Sequence, residues 1–187
     1  MNALFLGSIG VIAETSELQR RAYNAAFEAQ GLDWYWNVAN YCEMLKNPGG
    51  VKRISSFSPH TLSREMAEKI HQQKQVFYAE YLRGGITPRP GIAETINLCK
   101  SHGIRLGLIT TTTEENIDIL AHALSAYIDF SDFELITTKQ DVAQEKPDSA
   151  VYRFALQQFG LKAEQVIAIE DTEANQEAAL MEQIRCY

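Results

Sequence analysis

The hydrophobic and polar positions at the start of the chain predict a buried strand followed by a helix. The apolar run at residues 3–6 stops at Gly7, which is typical of a strand inside a parallel sheet. Ser16 is a suitable N-cap for the next segment, whose apolar positions keep helical spacing until Gly31. The loop at residues 7–15 is therefore expected to leave the end of a strand and lead into a helix.

The middle of the chain, residues 33–83, has helical spacing and no strand pattern. Three helices are predicted there, with a break at Pro48, Gly49 and Gly50, and they cover residues 34–45, 51–57 and 62–82. With the first helix they form a predicted all-helical insertion, residues 16–84, whose linkers lie near residues 14–17 and 84–90. Its aromatic residues are expected to serve packing rather than ligand stacking: Trp34, Tyr35, Trp36 and Tyr41.

Beyond the insertion, strand patterns alternate with helical ones to the end of the chain. Helices are predicted at residues 91–102, from 114, at 148–159 and at 173–181; strands are predicted at 105–109, 134–136, 166–169 and from 184. This alternation predicts an α/β fold in which a doubly wound parallel sheet carries helices on both faces. Ligands of such folds bind at the carboxyl ends of the strands.

The composition of the chain limits which kinds of binding partner and which cellular location are expected. The chain has 187 residues and a net charge of −7, which argues against nucleic acid or an anionic membrane as partner. Its three cysteines form no Cys-x-x-Cys pair, so we expect reduced thiols and a cytoplasmic location. No segment has the length of a membrane span or the pattern of a signal peptide. A small phosphorylated ligand is compatible with these features, and the oligomeric state is left open.

Four stretches contain candidate binding or catalytic side chains. Each follows a predicted strand or precedes a helix, and all lie at the same edge of the predicted sheet. Each combines small, hydroxyl or charged side chains, and they cover residues 7–11, 108–113, 145–147 and 169–172. Loops at the carboxyl ends of parallel strands converge on one crevice. We therefore expect these four stretches to build a single site.

On these stretches the chain resembles the haloacid dehalogenase (HAD) superfamily over nearly its whole length. The helical insertion resembles the cap of the β-phosphoglucomutase-like branch, and several pieces resemble CbbY-like sugar-phosphate phosphatases: residues 14–15, 24–27, 31–34 and 49–50. The resemblance implies a HAD-like α/β core formed by residues 1–15 and 85–187, with a four-helix cap at 16–84. Relatives usually continue past the position of Tyr187, so a core shortened at its C-terminus is expected.

The resemblance also implies roles for the second and third stretches. It makes Thr110 the phosphate ligand, with Thr111 beside it, and makes Lys146 the lysine that holds the phosphate. A hydroxyl and backbone amides near a helix N-terminus suit an anion. The alternatives are ordinary: the threonines can cap a helix, with Thr113 as N-cap, and a Lys-Pro pair is often a solvated turn.

The fourth stretch and the insertion carry the remaining candidates. By resemblance, Asp171 and Glu170 hold Mg²⁺, a hard cation that prefers carboxylate oxygens. Acidic residues also favour a helix N-terminus through its dipole, which is the alternative explanation. Arg53 and its neighbour Lys52 resemble the cap residues that meet the sugar or its distal phosphate. The alternative is that both belong to a solvated helix start.

The first stretch departs from the family pattern. Relatives carry two aspartates there, a nucleophile and an acid/base, whereas this chain has Gly7 and Ile9. Neither residue can form an aspartyl-phosphate or transfer a proton. Weaker Mg²⁺ binding follows from the lost carboxylate. Lys146, facing less negative charge, is expected to attract an anion more strongly.

Three functions remain open from the sequence. The chain is a HAD-like phosphatase relative with impaired catalysis that retains phosphate or sugar-phosphate binding, an active phosphatase with an unrecognised nucleophile, or a non-catalytic interaction scaffold. For the second hypothesis, Ser8 and Glu14 are the candidates. Strand alternation is expected to point the Ser8 side chain away from the direction of Gly7 and Ile9, and Glu14 is expected to serve as a hinge or helix-start residue.

Overall fold

The chain separates into two compact units in a computed structural model that describes residues 1–46, 49–57 and 62–187. One unit combines Met1–Glu14 with Ile86–Tyr187, and the other is Thr15–Gly85. These limits lie within one residue of the domain limits expected from the sequence. The break predicted at Pro48 lies outside the described residues.

Within the described residues the first unit contains a five-stranded, fully parallel sheet of order β3-β2-β1-β4-β5. Its strands are β1 Ala3–Leu6, β2 Arg105–Leu108, β3 Leu135–Ile136, β4 Val166–Ile169 and β5 Arg185–Cys186. Leu6 is aligned with Leu108 on one side and Ile169 on the other. The three central strands therefore end level, and the loops that follow them leave from the same edge.

The described residues form eight helices, which are divided between the two units. In chain order they are α1 Ser16–Ala29, α2 Val38–Leu45, α3 Gly50–Phe57, α4 Arg64–Arg83, α5 Ile92–Ser101, α6 Glu114–Leu124, α7 Ala150–Phe159 and α8 Glu173–Met181. None of the helices in these ranges has the length and hydrophobicity needed to cross a bilayer.

Strand β1 separates two hydrophobic clusters because its side chains alternate between the faces of the sheet. Leu4 and Leu6 join a cluster with residues of α5 and α6, while Ala3 and Phe5 join one with residues of α7 and α8. Helices thus cover both faces, and the predicted doubly wound α/β architecture is confirmed. The strand expected near the end of the chain is present as β5.

The second unit packs α1 to α4 around an aromatic cluster in which Trp36 is completely buried. Its second helix begins at Val38, so the prediction that it starts at residue 34 is wrong. Asn24 binds both backbone groups of Trp36, accepting from its N–H at 2.8 Å and donating to its carbonyl at 3.0 Å. Asn37 then caps α2 by accepting from the amide of Asn40. Tyr35, expected to pack, is exposed instead.

We predict that Asn24→Ala destabilises the helical unit. The change leaves the N–H of Trp36 without its side-chain partner while the carbonyl keeps a hydrogen bond from Arg20, so the expected loss is about 1–3 kcal/mol of the free energy of unfolding. Denaturant unfolding followed by tryptophan fluorescence measures it. The control is Asn97→Ala, on an exposed position of α5, which should change stability little. Equal effects of the two substitutions would contradict the proposed role of Asn24.

Candidate functional site

Thr110 lies directly after β2, and its buried hydroxyl faces the loop that follows β1. Its Oγ1 accepts hydrogen bonds from the Ser8 hydroxyl at 2.9 Å and from the Thr112 amide at 3.2 Å. Its backbone N–H donates to Thr137 Oγ1 at 2.8 Å. The Ser8 side chain thus points to Thr110 whereas a Cβ at Gly7 would meet Glu170, which agrees with the expectation that Ser8 points away from the direction of Gly7.

Lys146 and Glu170 form a buried ion pair at the carboxyl edge of the sheet. Their side chains are only 5% and 1% exposed. Lys146 Nζ also donates to the carbonyl of Ile109 at 2.7 Å, and the hydroxyl of Tyr152 donates to Glu170 Oε1 at 2.5 Å. The carboxylate of Glu170 is thus bound directly to Lys146, and the stronger attraction of Lys146 for an external anion stays a prediction.

The phenol of Tyr152 supports the same pair from α7. Burial, followed by the negative charge of Glu170, raises the pKa of Tyr152 well above its usual range. The hydroxyl therefore stays protonated and available as a donor. Lys146, Tyr152 and Glu170 thus form one connected polar cluster, which is what a buried charge requires in order to be tolerated.

Gly7 has no room for a side chain beside this cluster. A Cβ atom at residue 7 would overlap Glu170 Oε2 and lie 3.0 Å from Glu170 Cδ and 3.1 Å from Val11 Cγ2. The backbone N–H of Gly7 donates to the carbonyl of Ile169 at 3.0 Å, which holds the two loops together. The carboxylate of Glu170 therefore occupies the space in which a side chain at residue 7 would begin.

Gly10 and Asp171 meet in a second close contact between the same loops. Gly10 has a φ of 81°, in the region that favours glycine, and a Cβ there would overlap the carboxylate of Asp171. Asp171 Oδ1 accepts from the side-chain amide of Asn175 at 2.9 Å. The pKa of Asp171 is raised, mainly by desolvation of the carboxylate and also by the neighbouring charge of Glu170. The hydrogen bond from Asn175 and the charge of Lys146 lower this pKa but do not cancel the rise.

Arg89 holds the loop after β1 from the segment that precedes α5, and sequence reasoning missed it. Its guanidinium pairs with Glu14 at 2.8 Å and donates to the carbonyl of Gly10, while its backbone N–H donates to the carbonyl of Ile12 at 2.8 Å. Its place between two prolines was the available signal, since a rigid segment presents one side chain in a fixed direction. Glu14 is thus engaged as an ion-pair partner.

Arg53 and Lys52 lie in the helical unit, on α3. Arg53 Nε donates to the carbonyl of Met44 at 3.1 Å, and the guanidinium lies 5.8 Å from the centre of the Tyr41 ring. These contacts disagree with the alternative that Arg53 is a solvated helix start. Lys52 is exposed. The roles of both residues towards a substrate stay predictions.

Lys74 is a buried cation of the helical unit that sequence reasoning missed. Its side-chain ammonium donates to the amide oxygens of Gln19 and Gln75, each at 2.8 Å, and lies near the rings of Tyr23 and Tyr78. The residue is 1% exposed. A lysine on the buried face of a long helix was the signal in the sequence, because lysine is almost never fully buried without partners.

The arrangement leaves one carboxylate of the predicted pair, Asp171, outside the ion pair of Lys146 for the Mg²⁺ that the resemblance implies. Magnesium binds through several oxygen ligands in octahedral geometry, usually with one or two carboxylates free to coordinate it. Glu170 is engaged by Lys146 and Tyr152, which leaves Asp171 as the uncommitted carboxylate of the predicted metal pair. Across residues 1–46, 49–57 and 62–187, no three His, Cys, Asp or Glu side chains group as metal ligands.

The threonines that follow β2 have different roles at the N-terminus of α6. Thr113 caps α6 by accepting from the amide of Asn116, which confirms its predicted capping role. Thr110 instead contacts Ser8, and the next residue, Thr111, is partly buried. The structure thus brings together Gly7, Thr110, Lys146, Glu170 and Asp171, the predicted core residues of the site.

Comparison with known proteins assigns the class of protein. The model of the haloacid dehalogenase-like hydrolase family matches residues 10–187, and the chain belongs to this family. The match begins directly after Gly7 and Ile9, the two positions that depart from the family pattern. The resemblance inferred from the sequence motifs is thereby confirmed.

Individual relatives place the chain near CbbY proteins. It is 38% identical to CbbY of Rhodobacter capsulatus over 178 residues, covering 93% of this chain and 78% of that protein. Two crystal structures of CbbY from Rhodobacter sphaeroides align with a TM-score of 0.90 and 35% identity over all of this chain and 84% of theirs. One holds phosphate, and the other, a mutant, holds xylulose-(1,5)bisphosphate.

We predict that Gly7→Ala destabilises the α/β unit through contact with Glu170. Adding one methyl group to this packed position is expected to lower the free energy of unfolding by about 1–3 kcal/mol. The matched control is the same substitution in a Glu170→Ala background, where the contact with Glu170 is gone, the 3.1 Å contact with Val11 Cγ2 remains, and the further loss should be clearly smaller. An equal loss in both backgrounds, measured by denaturant unfolding, would refute the contact.

Proposed function

We propose that this chain is a HAD-like hydrolase relative that does not hydrolyse sugar phosphates by the aspartyl route of its family. The observation that carries the proposal is the pair Gly7 and Ile9, which offers neither a nucleophile nor a proton-transfer group. A positioned acid/base alone contributes about 10²–10⁴-fold to a rate. Loss of the nucleophile as well leaves only positioning and electrostatic effects.

Two carboxylates near the loop, Glu14 and Glu170, support this proposal because each is bound to a cation. Glu14 pairs with Arg89, and Glu170 pairs with Lys146 while accepting from Tyr152. A carboxylate that serves as nucleophile must be free to approach phosphorus. Glu170, at 1% side-chain exposure, is enclosed instead.

Sugar phosphates are the ligand class we assign to the family site. The support is the similarity to CbbY, whose crystal structures hold phosphate and a sugar bisphosphate. We further propose that Mg²⁺ binds weakly, since Asp171 is the remaining uncommitted carboxylate of the predicted metal pair. A cytoplasmic location stays a prediction supported by the three cysteines, which are all free.

The test is a phosphate-release assay on the purified chain with Mg²⁺ and xylulose-(1,5)bisphosphate, alongside other sugar phosphates. CbbY from Rhodobacter sphaeroides serves as the positive control under the same conditions. We expect turnover at least about 10³-fold below the control, since both the nucleophile and the acid/base are missing. Turnover comparable to the control, retained through further purification, would show that the proposal is wrong.

A gain-of-function variant tests whether the rest of the site is competent. Gly7→Asp combined with Ile9→Asp supplies both missing carboxylates, and we expect Mg²⁺-dependent phosphate release to appear. Because the side chain at residue 7 needs the space of Glu170, the variant forces that carboxylate to move. The control is Gly7→Asn with Ile9→Asn, which has similar volume and should remain inactive because amides form no acyl phosphate.

An active enzyme with Ser8 as nucleophile is the second candidate, and the contact between Ser8 and Thr110 is the observation in its favour. A serine nucleophile needs an adjacent base, and the hydroxyl of Thr110 is not one. We therefore expect Ser8→Ala to leave any residual phosphate release unchanged. A loss of about tenfold or more on Ser8→Ala, with unchanged thermal stability, would favour the second candidate.

A further inference from the structure

We infer that Thr137 is a positioning residue for an oxyanion that binds at the end of β2. Its side chain does not touch the ligand. It holds the backbone of Thr110, whose own hydroxyl donates a hydrogen bond to the oxyanion. The inference rests on the proposed function, in which sugar phosphates are the ligand class, and goes beyond it by naming the residue that fixes this donor in place.

Thr137 binds both backbone groups of Thr110 through a single hydroxyl. Its Oγ1 accepts from the N–H of Thr110 at 2.8 Å and donates to the carbonyl of the same residue at 2.8 Å. Thr137 is completely buried, so bulk water does not compete for either hydrogen bond. Because a β-branched side chain is stiff at χ1, these two bonds fix both the position and the orientation of the Thr110 backbone.

The side chain of Thr137 continues the pairing of β2 with β3 past the end of β3. Its backbone N–H donates to the carbonyl of Leu108 at 3.0 Å, as in a parallel ladder. The next bond of such a ladder would run from the N–H of Thr110 to the carbonyl of Thr137, and the Thr137 hydroxyl accepts it instead. The chain therefore turns away after β3 while the loop after β2 remains attached to the sheet.

The hydrogen bonds of Thr110 Oγ1 leave its own proton available. A hydroxyl oxygen accepts two hydrogen bonds and donates one. Both acceptor positions are filled, by the Ser8 hydroxyl at 2.9 Å and the Thr112 amide at 3.2 Å. No acceptor for the remaining proton is found within residues 1–46, 49–57 and 62–187. Thr110 is buried, and a buried donor without an acceptor is unfavourable, so a ligand with acceptor oxygens would satisfy it.

Two further features favour an anion over a neutral acceptor. Among the described residues, the backbone N–H of Thr111 takes part in no hydrogen bond, so it is a second donor next to Thr110. Helix α6 begins at Glu114, and a helix N-terminus carries partial positive charge. The acidic side chains of its first turn are exposed, where solvent screens their charge. A hydroxyl, a backbone amide and a helix N-terminus together suit a small oxyanion such as phosphate.

The experiment measures the Kd of inorganic phosphate by calorimetry on the full chain, with chloride added to keep ionic strength constant. Thr137→Val keeps the shape of the side chain but removes the hydroxyl, so phosphate binding should weaken by about 3- to 10-fold. Thr137→Ser keeps the hydroxyl and should bind phosphate nearly as well as the unmodified chain. An unchanged Kd in Thr137→Val, an equal loss in Thr137→Ser, or no phosphate binding by the unmodified chain would each overturn the inference.

A double-mutant cycle separates positioning from a purely structural role. Thr110→Val removes the donor itself, so phosphate binding should weaken by about tenfold or more. In that background Thr137→Val should cause no further loss of affinity, because Thr137 acts on the ligand only through Thr110. If the further loss equals the loss that Thr137→Val causes alone, Thr137 acts independently of Thr110 and the inference is wrong.

The matched control is Thr87→Val, the same substitution at an exposed threonine of the same unit, which should leave the Kd of phosphate unchanged. A loss there equal to that of Thr137→Val would contradict the inference. Thr137→Cys covers the case in which Thr137→Val does not fold, because a thiol is a weak donor and acceptor and should also weaken binding. None of these affinities depends on turnover, so the phosphate-release assay decides the proposed function separately.

Discussion

A buried ammonium group at the carboxyl edge of the sheet constrains the whole α/β site. Burial of the Lys146 ammonium group costs hydration energy, and a directly bound anion offsets that cost. Glu170 is that anion, and the pair joins the end of β4 to the loop before α7 and, through the carbonyl of Ile109, to the end of β2. Tyr152 adds a donor from α7. One ion pair therefore connects three of the segments that build the site.

The loop after β1 is shaped to accommodate this pair. Gly7 leaves the space into which Glu170 extends, and Gly10 leaves the space and adopts the positive φ that Asp171 requires. Arg89 then fixes the loop from outside through Glu14 and Gly10. The two glycines thus have a structural reason in this chain, beyond the absence of catalytic side chains. The missing side chain at residue 7 and the position of the Glu170 carboxylate are therefore linked.

Most helices and strands follow from the local pattern of apolar and polar residues. Their observed bounds differ from the predicted ones where contacts between residues further apart in sequence fix the backbone. The alternation of strands and helices after residue 91 was sufficient to predict the parallel sheet, because burial on both faces gives continuous apolar runs. The start of α2 was not predictable from spacing alone. Asn24, distant in sequence, binds the backbone of Trp36 and keeps residues 34–37 out of the helix. The partner of Ser8 was not predictable either, because Thr110 lies 102 residues away in sequence.

The sequence by itself determined the family, the order of the elements and the two positions at which the catalytic pattern is missing. Those features depend on residue type and spacing, which can be read along the chain. Only the tertiary structure decided what happens to the remaining charged groups. Glu170 lies 24 residues after Lys146 and far from Gly7 in sequence, so their contact depends on the level ends of β1 and β4. Electrostatic pairing in a buried site follows from distance in space, and spacing along the chain does not report that distance.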